Sequence, residues 1–214
     1  MINTKLVLLE GPPGSGKSTI SKKIFDWLSV DNKHLVQEHS EYHPIVEKDL
    51  YYDIDVWQEK TLHNWEKLSA EIHTKDTLYI MEFALFQNTI NAMLLSNCSR
   101  TDIIKVCLKI VNTIMDISPV MILYTATNAK TFVRETYELR DSSWKDNVDH
   151  LIDHLPYGEH KKLKGFDGFL AFYDEYISIA NFVYDRLEMD KIRIDVTKRE
   201  WPKIEKLTQE FLKI

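Results

Sequence analysis

Along the chain, short runs that are apolar at nearly every position alternate with longer stretches whose apolar residues recur every three or four places. Runs of the first kind predict strands covered on both faces: Leu6 to Leu9, Thr77 to Met81 and Val120 to Tyr124, with more polar ones at His34 to Gln37 and Lys191 to Val196. The second kind predicts helices. They are marked by Ile20, Ile24, Trp27 and Leu28; by Leu62, Trp65, Leu68 and Ile72; by Ile103, Cys107, Ile110 and Ile114, with Thr101 or Asp102 as cap; and by Phe172, Tyr176, Ile179, Val183 and Leu187. Phe83 to Leu95 reads as a helix turning back from the third strand, Lys130 to Arg140 as a charged helix, and Trp201 to Leu212 as a closing one. Between them, Pro156, Gly158, Gly165 and Gly168 mark a stretch that reads as mobile. Strands alternating with helices predict a single α/β domain over residues 1–214, built on a parallel sheet whose ligands lie beyond the carboxyl ends of the strands.

The first apolar run feeds Gly11-Pro12-Pro13-Gly14-Ser15-Gly16-Lys17-Ser18-Thr19, which matches G-x-x-x-x-G-K-[ST] in full. The spacing suits a triphosphate. Successive backbone N–H groups wrap a phosphate, and glycine lets the main chain approach it closely. Lys17 can reach the outer phosphates, the Ser18 hydroxyl can ligate Mg²⁺, and the following helix aims its positive end at the same point. The context the motif requires, a strand before it and a helix after it, is present. On this reading the Lys17 ammonium faces solvent when no nucleotide is bound.

Composition narrows the class. A chain of 214 residues can bury a substantial core without staples, and its only cysteines are Cys98 and Cys107, so a reduced, cytoplasmic protein is expected. The first apolar run ends at Glu10 and enters the glycine-rich turn, unlike a secretory signal, and no run reaches the length of a membrane span. A net charge of −6 speaks against a sequence-independent nucleic-acid binder, which needs a basic face. The expected partners are therefore small molecules, with a homodimer as one candidate assembly.

Two carboxylates stand at strand tips. Glu38, after the second strand, sits where a general base would take a proton from an acceptor hydroxyl, or is a solvated loop charge. Glu82, after the third, can hold a Mg²⁺-ligated water or brace the loop, since a lone buried carboxylate needs a partner. Arg134 and Arg140 are candidate clamps on phosphate charge. Six residues on a helix leave them about 120° apart, so both reach one point only if the helix ends early, and Arg134 can instead pair with Glu138. His39 and His43, with Glu41 and Asp49 nearby, have a metal-like spacing, but Pro44 favours acceptor contacts or plain loop histidines. Gln87 and Asn88 either face an acceptor or cap a helix.

Taken together, the phosphate loop, the carboxylates after the second and third strands and the late arginine-bearing segment resemble the P-loop kinases of nucleosides, nucleotides and other small molecules. The resemblance implies a three-layer α/β/α fold, a five-stranded parallel sheet in the order 2-3-1-4-5, Mg·ATP as donor and a helical lid, here within residues 130–168. The segment Ile194-Asp195-Val196-Thr197 with Trp201 is similar to the part that flanks the adenine in this group. Two departures bear on the acceptor. Deoxynucleoside kinases follow the third strand with an acidic-Arg pair, where this chain has Glu82, Phe83 and Ala84; and Val30 to Ser99 contains no arginine, although nucleoside monophosphate kinases place arginines near the acceptor phosphate. An unphosphorylated hydroxyl, on a nucleoside, an antibiotic-like molecule or another metabolite, is thus the expected acceptor. A slow nucleotide-dependent switch and a nucleoside monophosphate kinase are the alternatives.

Overall fold

A computed structural model describes residues 4–46 and 53–214. Its centre is a parallel sheet in the order β2-β3-β1-β4-β5, formed by β1 (Leu6–Glu10), β2 (Lys33–Val36), β3 (Leu78–Glu82), β4 (Val120–Thr125) and β5 (Asp190–Asp195). Register is continuous across the middle of the sheet, with Leu8 opposite Met81 on one side and Met121 on the other.

The unbroken apolar runs follow from this position. Successive residues of β1 point to opposite faces, and both faces are covered. Leu6 and Leu8 join Met81, Met121 and Leu123 in one core, beneath α2 (Ile54–Lys75), α3 (Phe86–Leu95), α4 (Arg100–Ile114) and α8 (Gly165–Tyr184). Val7 and Leu9 join Ile80, Ile122 and Ile194 in the other, beneath α1 (Lys17–Trp27) and α9 (Trp201–Leu212). Leu6, Val7, Leu8 and Leu9 are wholly buried, so truncating any one to alanine costs about 2–5 kcal/mol. The edge strands β2 and β5 are only partly covered and correspondingly more polar.

Several boundaries differ from the sequence expectation, each for a local reason. α2 begins at Ile54, about two turns before its apolar stripe starts at Leu62, because the Asp53 carboxylate accepts from the Val56 N–H and caps it. α3 starts only at Phe86, since Phe83 takes a left-handed φ of 59° that no helix continues through. α4 is capped by Ser99, not by Thr101 or Asp102: its hydroxyl accepts from the Asp102 N–H. Of the acidic stretch from Glu47 to Asp55, residues 47–52 lie outside the described ones, Asp49 among them.

The largest correction concerns the stretch read as mobile. After α5 (Ala129–Leu139) come α6 (Ser142–His154) and α7 (Pro156–Lys161), and α8 already begins at Gly165. Pro156 opens α7 at its first position, where its missing N–H has no bond to lose. Gly158 and Gly168 are packing residues: a Cβ on the first would stand 1.7 Å from the Ile152 carbonyl oxygen, and one on the second 2.4 Å from the Ile152 side chain. Among the described residues, no helix is long and apolar enough to cross a membrane.

Candidate functional site

The phosphate loop leaves β1 at Gly11 and enters α1 at Lys17, as the motif requires. Gly16 is the residue before the helix, with a φ of 84°, and a Cβ there would stand 2.6 Å from the Trp201 ring, so the loop depends on glycine both for its turn and for its contact with α9. The Lys17 ammonium does not face solvent, contrary to expectation. It is folded into the loop and donates to the Gly11 and Pro12 carbonyls, both at 3.0 Å. Burial pulls its pKa down, while Glu82, Glu38 and Glu10 oppose that shift. The reason is electrostatic: three carboxylates and two carbonyls offer the ammonium what water would, and a triphosphate must take over that role.

β3 ends in Glu82, and the structure joins it to the loop. Ser18 donates its hydroxyl to Oε2 of Glu82 at 2.9 Å, and the Glu38 N–H donates to Oε1 at 3.4 Å. Burial raises the Glu82 pKa, opposed by the Ser18 bond and by Lys17. A hydroxyl beside a carboxylate, both aimed at the loop, is an oxygen donor set of the kind Mg²⁺ takes when it also binds phosphate. Gln37 reaches across from the tip of β2 to the Ser18 carbonyl (2.7 Å) and the Ser21 hydroxyl (2.9 Å), fixing Glu38 beside the loop.

His39 and His43 diverge. The first lines the cleft described below. The second is buried: Nδ1 accepts from the Ile45 and Val46 N–H groups, and Nε2 lies 3.3 Å from the Glu82 carbonyl oxygen, so it pins the loop after β2 onto β3. Among the described residues, no three His, Cys, Asp or Glu side chains are placed to share an ion.

These groups open into one cleft of about 540 Å³ beyond the carboxyl ends of the strands. Gly14, Gly16, Lys17 and Ser18 form one end. Glu38, Gln87, Asn88, Asn91, Tyr173, Arg140 and Trp144 line the rest of it. Of the two arginines only Arg140 lines the cleft. α5 stops at Leu139 and Arg140 is already extended, with its guanidinium 5.3 Å from the Trp144 ring; Arg134, a turn and a half earlier, lies 5.0 Å from the Phe166 ring. α6 presents Trp144, Asn147, Val148 and Leu151 to the cleft, a stripe of helical spacing inside the segment expected to hold the lid.

Gln87 and Asn88 do not cap α3 with their side chains. The helix starts without a local side-chain cap, and both residues line the cleft, while Gln87 Oε1, Asn88 Nδ2 and Asn91 Oδ1 are inaccessible atoms without a hydrogen-bond partner. The wall they form is amide-rich and uncharged, suited to a ligand that can both donate and accept. Sequence reasoning missed Asn91, Tyr173, Trp144 and Glu10. For Asn91 the signal was present: with Gln87 and Asn88 it makes a polar i, i+1, i+4 patch on an otherwise apolar helix.

No family model and no curated protein matches this sequence. Solved structures do. Deoxyadenosine kinase from M. mycoides with bound dATP matches at 17% identity and a TM-score of 0.53, over 97% of this chain and 99% of that one. The same enzyme with bound dCTP matches at 15% and 0.50 over the same shares. YorR protein from Bacillus subtilis, in complex with phosphorylated GDP, matches at 13% and 0.55 over 97% and 95%. At such identities the likeness is one of fold, and it agrees with the strand order: the chain has a P-loop, nucleoside-kinase-like α/β fold.

Proposed function

We propose that the protein is an ATP-dependent small-molecule kinase that transfers the γ-phosphoryl group of Mg·ATP to a hydroxyl of an unphosphorylated acceptor, with nucleosides the first class to test. The observation that carries this reading is the shared cleft: a phosphate loop at one end and, within the same 540 Å³, a carboxylate and an amide wall that no nucleotide phosphate needs. Its size suits two small ligands or one elongated pair. The structural neighbours with bound nucleotides support the class of donor and acceptor.

In this reading Lys17 exchanges its carbonyl partners for β- and γ-phosphate oxygens and stabilises the charge that develops on transfer. Mg²⁺, held by Ser18 directly and by Glu82 through water, would supply charge neutralisation between the phosphates. Glu38 accepts the acceptor's proton, and its fixed neighbour Gln37 keeps it at the loop. Arg140 closes over the transferring group. The acceptor wall carries no fixed positive charge: between Gln37 and Val46, and among Gln87, Asn88 and Asn91, there is neither lysine nor arginine. A phosphorylated acceptor would therefore have to share Arg140 with the transferring group. A screen of hydroxyl-bearing metabolites with ADP release as readout tests the reading. Acceleration by at least one unphosphorylated compound is expected; tight ATP binding with no acceleration by any would favour a nucleotide-dependent switch.

A further inference from the structure

One buried charge does more than help to balance Lys17. Glu10, the last residue of β1 and the one before the phosphate loop, is wholly inaccessible. Its carboxylate crosses under β3: Oε1 accepts from the Leu85 N–H at 2.7 Å and Oε2 from the Gln87 N–H at 3.0 Å. These are among the first amides of α3, which an ordinary helix satisfies with a local cap. Four other helices do so with a residue at their own start, namely Asp53, Ser99, Asn128 and Asp141. α3 instead takes its cap from a strand 75 residues away, after a turn in which Phe83 adopts a left-handed φ. Burial raises the Glu10 pKa against the opposing backbone bonds and Lys17, so a carboxylate here is an expensive way to end a helix. What it adds is a rigid link between the donor loop and the helix that faces the acceptor.

We infer that Glu10 is a positioning residue for the acceptor: by holding the first turn of α3 to the strand that carries the phosphate loop, it sets Gln87, Asn88 and, one turn on, Asn91 at a fixed distance from the transferring phosphate. The inference rests on the kinase reading for its substrate and on geometry alone for the link.

The test is Glu10→Gln, which keeps the shape but offers one acceptor where two N–H groups need two. The acceptor KM should rise about tenfold or more, while ATP affinity measured without acceptor does not fall, since the substitution only removes a negative charge from beside Lys17. An ATP affinity that falls as much as acceptor binding, or an unchanged acceptor KM, would overturn the inference. Amide hydrogen exchange separates it from the kinase reading, because it needs no turnover: exchange should quicken at residues 85–88 and stay unchanged across 11–18. Unchanged exchange at 85–88 counts against the link whatever the assays return, whereas a wild-type protein without acceptor-dependent turnover counts against the kinase reading. If the variant does not fold, the wild-type protein carries the test. Leu85 and Gln87 amides protected like those of β1 support the link; exchange as fast as in an uncapped first turn contradicts it.

Discussion

The two ends of the sheet carry clefts of opposite character. Beyond the carboxyl ends, Lys17 is buried with a lowered pKa and Glu82 with a raised one. Beyond the amino ends lies a second cleft, of about 320 Å³, lined among others by Thr4, Lys5, His73, Asp76, Asp116 and Ser118. There the polar groups answer one another. Lys5 pairs with Asp76 at 2.7 Å, His73 with Asp116 at 2.8 Å, the Ser69 hydroxyl donates to Asp116 at 3.3 Å, and Thr4 donates to the Ser118 carbonyl at 2.6 Å. Size alone does not separate a site from a crevice. The state of the charges separates them better: buried, shifted ones gather at the carboxyl ends, and exposed, paired ones at the amino ends.

Substitutions at the two ends should therefore fail differently. Lys17→Ala should lower phosphoryl transfer by about a thousandfold, because the ammonium acts on charge formed in the transition state, and should leave the protein folded, because relief of a desolvated cation offsets the lost pairing with Glu82 and Glu10. Steady-state kinetics with a melting curve checks both; near-wild-type transfer would remove the loop from the reaction. The carboxylates come next. Glu82→Gln should raise the Mg²⁺ requirement and slow all turnover, including acceptor-independent hydrolysis, whereas Glu38→Gln should depress only acceptor-dependent turnover, by about a hundredfold. Equal loss of hydrolysis in both would break that division.

The arginines sharpen the comparison within the cleft. Arg140→Ala should lower kcat by about tenfold or more, and Arg134→Ala by no more than about twofold, because only the first lines the cleft while the second rests against Phe166. A larger loss at Arg134 would mean that α5 rotates on closure.

The smallest effect belongs to the amino-end cleft. The hydrogen bond from His73, above all, holds the Asp116 carboxyl below its ordinary value. A carboxylate depressed in this way contributes stability above its unfolded pKa and loses it as the pH falls through the folded one. The pair is more than half exposed on the Asp116 side, so solvent screens it, and Asp116→Asn should cost less than about 1 kcal/mol near neutral pH and nothing near pH 2. Denaturant titrations at both pH values, with activity unchanged throughout, check this.

What the sequence disclosed follows the same division. The loop, the strand tips and the sheet's covered centre were legible because they rest on local rules: glycine where backbone must approach phosphate, continuous apolar runs where both faces are covered. The acceptor side was not, because its residues come together from afar. Glu10 reads in the chain as the end of an apolar run, yet its partners are in α3. Tyr173 reads as one more aromatic in a core helix, yet it lines the cleft. Gly158 and Gly168 read as marks of a mobile stretch, because a glycine needed for close packing looks in sequence like one needed for freedom.

The central claim is that this cleft joins a triphosphate to an acceptor with no phosphate of its own. Phosphorus NMR on a single sample tests it most directly, with the protein, Mg·ATP, a nucleoside and the corresponding nucleoside monophosphate present together. The account predicts that the monophosphate signal grows, and that ADP appears in equal amount with no new nucleoside diphosphate beyond it. Growth of the diphosphate of the added nucleoside, or release of inorganic phosphate alone, would contradict it.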